Sequence, residues 1–201
     1  MKVVHLFVYP TLADWEYGYA VAGLNTFSGG RYQVKTVGMS REPVVSLGGV
    51  TIVPDMTLAE LTPEESSMLI LPGGEGWETG MYGDALEMAQ RFLAAGVPVA
   101  AICGATAGLA SVGLLNERKH TSNAPEFVKI GAYRGEALYQ AERAVADGKL
   151  ITAGGVSPLE FAREIFQMLE LFSEDALEAW YMLYKTGESR YFIALQQAMQ
   201  A

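Results

Sequence analysis

The sequence predicts an open, doubly wound, mostly parallel α/β sheet between helical layers, and two observations predict it. Short runs rich in valine and isoleucine alternate with stretches of helical period, which calls for right-handed strand-helix-strand crossovers. The middle runs are apolar on both faces, the mark of parallel strands covered from both sides.

In chain order, strands are expected at Val3 to Tyr9, Tyr32 to Val37, Met68 to Leu71, Val97 to Cys103 and Leu150 to Ala153. Helical patterns fill Asp14 to Thr26, Asp84 to Ala95, Thr106 to Leu115 and Pro158 to Phe172. The first helix takes Asp14 as its N-cap, which leaves Glu16 in the first turn. Pro43 to Pro54 around Gly48-Gly49 reads as a small hairpin. Asp147-Gly148 is a second hairpin turn, implying an antiparallel addition to the sheet. Ser157-Pro158-Leu159-Glu160 has the form of a capping box with proline at the first helical position.

After Phe172 the pattern changes. Leu177, Trp180, Tyr181 and Tyr184 fall at helical spacing before Gly187, and Phe192, Leu195 and Met199 continue on a further short helix. The expected division is therefore a domain over residues 1–172 and a helical extension over 173–201. That pair packs on the domain's own core, or serves as a dimer contact or lid.

Composition narrows the function. The 201 residues carry 14 Lys and Arg against 23 Asp and Glu, a net charge of -9, with no basic stripe, which argues against nucleic-acid binding. The uncharged stretch Gly96 to Leu115 contains Pro98 and four glycines, so it reads as a buried strand, turn and helix rather than a membrane span. One cysteine excludes an internal disulfide and favours a reducing, cytoplasmic setting. One cysteine and two histidines offer no metal-ligand spacing, and no cofactor is expected.

In a parallel sheet, ligands gather beyond the carboxyl ends of the strands. Three such places stand out. The strand ending at Cys103 passes straight into the small-residue run Gly104-Ala105-Thr106, the layout of a nucleophile elbow. From residue type alone Cys103 is a buried structural cysteine, but the helix start that follows it favours a thiolate and a lowered pKa. Pro72-Gly73-Gly74-Glu75 directly follows another buried strand, and its amides suit an oxyanion site. Asp14-Trp15-Glu16 follows the first strand, where Glu16 either meets the helix dipole or faces the cysteine.

Together Asp14-Trp15-Glu16, Leu71-Pro72-Gly73-Gly74, Ala101-Ile102-Cys103-Gly104-Ala105-Thr106, Gly113-Leu114-Leu115 and His120-Thr121-Ser122-Asn123 resemble the ThiJ/PfpI superfamily, related to class I glutamine amidotransferase domains. The resemblance implies a flavodoxin-like fold over residues 1–172 and a homodimer. It implies a reactive Cys103, a Glu16 that donates a hydrogen bond to its sulfur, and oxyanion amides at Gly74 and Gly104. Trp15, Glu75, Thr106 and Asn123 are expected to line the site. Family members commonly place histidine beside the cysteine or at the end of the downstream stretch, where this chain has Gly104 and Asn123. His120 and His5 are expected to be structural or, for His120, at the surface. What remains is a Cys103-Glu16 dyad sharing a proton. It points to a cofactor-free enzyme for reactive carbonyl, amide or nitrile-like groups, or to a non-enzymatic stress sensor or binding protein with an oxidisable Cys103.

Overall fold

The computed structural model describes residues 1–199. Along the chain come β1 (Lys2–Phe7), α1 (Asp14–Phe27), β2 (Tyr32–Gly38), β3 (Val44–Val45), β4 (Thr51–Ile52), β5 (Met56–Thr57) and β6 (Met68–Leu71). Then follow α2 (Gly83–Ala94), β7 (Val99–Ile102), α3 (Gly104–Ser111), β8 (Ala144–Asp147), β9 (Leu150–Ala153), α4 (Pro158–Met168), α5 (Glu174–Thr186) and α6 (Ser189–Ala198).

Seven strands form one sheet in the order β5-β2-β1-β6-β7-β9-β8. All neighbours pair in parallel except β8, which the Gly148 turn folds back antiparallel onto β9. Every residue of β6, β7 and β9 is buried, as strands covered on both faces require. The edge strand β5 is two residues long, too short for a strand pattern to show in sequence, and it offers little backbone for unwanted pairing. β3 and β4 form the separate small hairpin around Gly48-Gly49.

The connection from β1 steps to one side, to β2, whereas β6 to β7 steps to the other. Right-handed crossovers therefore put α1 and α2 on opposite faces. α2 turns Leu86, Met88 and Phe92 inward, each contributing about 2 kcal/mol by burial. α4 joins α1 on its face and reaches across β7, β8 and β9. The direction of the crossovers reverses between β1 and β6, which makes the strands' carboxyl ends there the switch point where open α/β sheets bind ligands.

The C-terminal helices are built by ordinary local rules. The Ser173 hydroxyl accepts the Ala176 N–H to start α5, and Gly187, at φ 72°, ends it. Trp180 is buried edge-on to Phe166 with ring centroids 4.7 Å apart, and Tyr19 of α1 meets it from the other side. α6 packs against α5 through Leu195 and leaves Phe192 and Ile193 exposed.

Three local expectations are corrected. Asp14 is the first residue of α1 rather than its N-cap, because its carboxylate is taken by the β3–β4 hairpin: it accepts from the Ser46 hydroxyl at 2.6 Å and the Gly48 N–H at 2.7 Å. No capping box forms at Ser157. The Glu160 carboxylate turns instead to the Tyr181 hydroxyl at 3.0 Å and the Arg143 guanidinium at 3.8 Å. α4 stops at Met168 rather than Phe172. Glu170 adopts a left-handed φ of 51°, and the Leu171 and Glu170 N–H groups bond back to the carbonyls of Phe166 and Gln167, a Schellman closure.

Candidate active site

The carboxyl ends of β1, β6, β7 and β9 converge on Cys103. Its backbone sits at φ 56°, ψ -121°, a region that a non-glycine residue enters only at a cost of about 1–3 kcal/mol. That turn is held on both sides. The Cys103 N–H donates to the Ala153 carbonyl at 3.0 Å, and its own carbonyl accepts from the N–H and hydroxyl of Thr106 at 3.0 and 2.6 Å. The strand-to-helix elbow expected from Val97 to Thr106 is thus present, with α3 beginning at Gly104.

Glu16 comes from the first turn of α1 and is only 2% exposed. Its carboxylate accepts the Gly73 N–H at 2.5 Å and lies beside the Cys103 thiol, each influencing the other's ionisation. Space at this meeting point is kept by two glycines. A Cβ on Gly73 would come within 2.6 Å of the Cys103 Cβ and 2.8 Å of the Glu16 Oε2. One on Gly155 would come within 2.8 Å of the sulfur and 3.1 Å of the Glu16 Oε1.

The Pro72-Gly74 loop is held from beneath by aromatic side chains. The Tyr9 hydroxyl donates to the Pro72 carbonyl at 2.9 Å, and the buried Trp77 indole donates to both the Tyr9 hydroxyl at 2.7 Å and the same carbonyl at 3.1 Å. Phe7 and Tyr82 complete this cluster. Among the described residues the Gly74 N–H has no protein acceptor, so it is free for a ligand oxygen. The Gly104 N–H, the first of α3, adjoins the Cys103 sulfur and favours its thiolate.

Of the remaining expected lining residues, two touch the centre. Asn123 is exposed and donates through Nδ2 to the Cys103 sulfur at 3.3 Å, while its Oδ1 accepts the Gly155 N–H at 2.8 Å. Trp15 is half exposed, and its indole donates to the Gly155 carbonyl at 3.3 Å. Thr106 does not line the site. It is fully buried under the elbow, with its hydroxyl 2.6 Å from the Ser122 hydroxyl. Glu75 contributes only its N–H, to the Thr11 hydroxyl at 3.2 Å, and its side chain is exposed with no hydrogen bond into the centre. Gly155 and Trp77 join the centre beyond the expected set. The sign for Gly155 was present, since Gly154-Gly155 follows the buried strand β9 as Gly73-Gly74 follows β6.

Neither histidine reaches the cysteine. His120 is fully buried, its ring nitrogens 2.7 Å from the Arg118 carbonyl and 2.8 Å from the Tyr133 hydroxyl. His5, buried in β1, pairs with the Ser66 hydroxyl at 2.8 Å. A histidine at position 104 has no room either. A Cβ there would lie 2.9 Å from the Gly74 carbonyl oxygen and 3.0 Å from the Trp77 Cδ1.

The electrostatics follow from burial. Desolvation pushes the Glu16 carboxyl up to about 7, against the pull of the Gly73 N–H and the thiol. Burial, then the Glu16 charge, pushes the Cys103 thiol up to about 11, against the hydrogen bonds from Asn123 and Gly104. The expectation of a lowered thiol pKa is therefore overturned. The start of α3 does favour the thiolate, but lost hydration and the neighbouring carboxylate outweigh it. Near neutral pH the sulfur rests as a thiol, with a carboxyl group of evenly balanced protonation beside it.

A model of the DJ-1/PfpI family matches residues 1–168. The chain belongs to that family. A Bacillus subtilis relative, named as the uncharacterized protease YoaZ, is 42% identical, with 98% of each chain covered. The solved structure of a thiJ/pfpI family protein from Bacillus anthracis shares 42% identity over 98% of each chain, with a TM-score of 0.92. The deglycase PfpI of Pyrococcus furiosus is 33% identical over 92 residues, 45% of this chain and 55% of that protein. The match to the Bacillus anthracis structure spans the C-terminal helices as well, and both faces of the mostly parallel sheet are covered as in the flavodoxin-like fold of the family. No described helix is long and apolar enough to cross a membrane.

Proposed function

We propose that this family member is a cysteine-dependent enzyme for small molecules, a hydrolase or lyase acting on a reactive carbonyl, amide or nitrile-like group through a Cys103-Glu16 dyad. The observation that carries the reading is the juxtaposition of a strained-turn thiol and a buried carboxyl, both bordering the same glycine, Gly155, at the carboxyl ends of the strands. As a carbonyl carbon approaches, the thiol proton passes to the Glu16 carboxylate and the sulfur lone pair forms the C–S bond. The carbonyl π electrons move onto oxygen, where the free Gly74 N–H meets them and Gly104 assists. With an amide, the amine leaves with the proton that Glu16 holds, and water then cleaves the thioester. No step calls on a metal or organic cofactor. The protease and deglycase names of the relatives fit hydrolytic or carbonyl chemistry of this kind.

The test is a panel of 2-oxoaldehydes, short amides and nitriles presented to the wild type and to Cys103→Ser. Turnover of any member that Cys103→Ser abolishes supports the reading. Equal turnover by both sinks it.

One observation favours a second reading, a redox sensor. A carboxyl with its pKa near 7 beside a partly exposed thiol is able to donate a hydrogen bond to a sulfinate. Peroxide titration followed by intact mass checks this: a stoichiometric gain of two oxygens, absent in Cys103→Ser and without turnover of the panel, supports the sensor. Either role suits a reducing, cytoplasmic setting. The homodimer implied by the family is part of the same proposal. A groove of about 490 Å³ between α1 and α5, edged by the half-exposed Trp15 and Tyr184, supplies an apolar face for it. Light scattering on the purified chain checks the mass.

A further inference from the structure

We propose that Asn123 is the residue that aims the Cys103 sulfur and supports it as a thiolate, through a side-chain amide whose orientation Gly155 fixes, so that the centre works without a histidine. This rests on Cys103 being the reacting atom. A carboxamide is able to present either end to a neighbour, and the surroundings decide which. The Gly155 N–H is a donor only, so the oxygen of Asn123 must face it, at 2.8 Å. The NH₂ group is thereby turned to the sulfur, at 3.3 Å.

The segment carrying Asn123 is tied down on every side. The Thr121 N–H donates to the Thr152 hydroxyl at 2.9 Å and the Thr121 hydroxyl to the Glu142 carbonyl at 2.7 Å. The Ser122 hydroxyl meets that of Thr106, which also holds the Cys103 carbonyl. On the far side, Trp15 of α1 holds the Gly155 carbonyl. The donor is thus set in place before substrate arrives, as preorganised stabilisation of a developing charge requires.

The titratable groups that face this position are Cys103 from the end of β7 and Glu16 from α1. Tyr9, after β1, interacts with both through their charges and gives its hydroxyl proton to Pro72. A histidine supports a thiolate by charge only while it is protonated, whereas an amide N–H does so at every pH. Asn123 therefore offsets part of the cost of the buried thiolate without adding a titration of its own.

The test measures the thiol directly. Ultraviolet thiolate absorbance against pH and the rate of alkylation by iodoacetamide are recorded for wild type, Asn123→Ala and Asn123→Asp, with melting temperatures alongside. Loss of a hydrogen bond to a charged group is expected to raise the Cys103 pKa by about one unit in Asn123→Ala and to slow alkylation near pH 8 about tenfold. Asn123→Asp keeps an acceptor for Gly155 but places a carboxylate against the sulfur, so its shift is expected to be at least as large. Unchanged thiol pKa and alkylation rate in both variants, whatever the melting temperatures do, would overturn the proposal. Neither readout needs turnover. If the substrate panel fails while the thiol shifts appear, the enzymatic reading falls and the role of Asn123 stands.

Discussion

The carboxyl of Glu16 lies against the thiol of Cys103, and the backbone N–H of Gly73 holds the carboxyl there at 2.5 Å. With the carboxyl pushed up to about 7 and the thiol up to about 11, the thiol proton has one acceptor close at hand, and that acceptor is available only once ionised. The plot of kcat/KM against pH is therefore expected to rise through a limb near 7 and then flatten. Neither histidine accounts for such a limb, since burial lowers His5 to about 4 and also lowers His120. Glu16→Gln is expected to lose at least about a hundredfold in kcat/KM along with the limb. It is also expected to lower the thiol pKa, because the like charge beside the sulfur is gone. A limb that survives in Glu16→Gln would contradict the assignment.

The same group makes stability depend on pH. Glu16 has an ordinary carboxylate pKa of 4.5 when unfolded and about 7 when folded, so between those values the folded chain binds more protons. Its favourable contribution is complete below pH 4.5 and is lost as pH rises through 7. A shift of this size corresponds to about 3 kcal/mol. Urea melts of wild type and Glu16→Gln are expected to agree most closely near pH 5, with the variant becoming relatively more stable toward pH 8. Parallel curves across that range would show that burial does not hold Glu16 protonated.

Gly155 tests how tightly the centre is packed. No left-handed φ is imposed on it, so alanine is not excluded by the backbone. Its methyl group, however, would meet the sulfur at 2.8 Å and the Glu16 Oε1 at 3.1 Å. Gly155→Ala is expected to cost about 1–3 kcal/mol by overpacking and to lower kcat/KM by about tenfold or more as the dyad is pushed apart. Circular dichroism and kinetics on one preparation separate the two effects.

The parts of this centre that were legible in the sequence are those that backbone chemistry marks. A cysteine between a buried strand and a small-residue helix, and glycines at the end of another strand, leave signs in residue order. Gly154-Gly155 carries the same sign after β9, where Gly155 borders the dyad. What residue order does not carry is burial. Thr106 lies beneath the elbow rather than in the site, Glu75 points to solvent, and the thiol is raised rather than lowered. Asp14 likewise has the residue type of a cap but is claimed by Ser46 and Gly48, some thirty residues on in sequence. The two-residue strand β5 is too short to show a period at all.

Gly104 leaves no place for a histidine beside the cysteine. The place a side chain would take is filled by the Gly74 carbonyl and by Trp77. Gly104→His is therefore not expected to create a Cys-His pair. It should displace the Pro72-Gly74 loop, lower stability by about 1–3 kcal/mol and reduce turnover rather than raise it. Denaturant melts with steady-state kinetics check both. An increase in kcat would show that the loop yields to the new side chain.

Trp180 asks whether the C-terminal helices belong to the same cooperative unit as the sheet. Its indole is 1% exposed and lies among Phe166 of α4, Tyr19 of α1 and Tyr184 of its own helix, with Phe172 stacked beyond. Replacing so large a buried side chain by alanine removes its transfer energy and leaves a cavity that helix packing only partly closes. Trp180→Ala is expected to lose about 3–5 kcal/mol in urea melts, with the change followed by far-ultraviolet circular dichroism and by Cys103 accessibility in a single transition. If residues 173–199 form a separately stable extension, the two probes will part, with helix signal lost before the thiol becomes accessible. The position of Tyr19 on α1, three residues after Glu16, favours the single transition. A helix that supplies half of the dyad is packed against the same tryptophan.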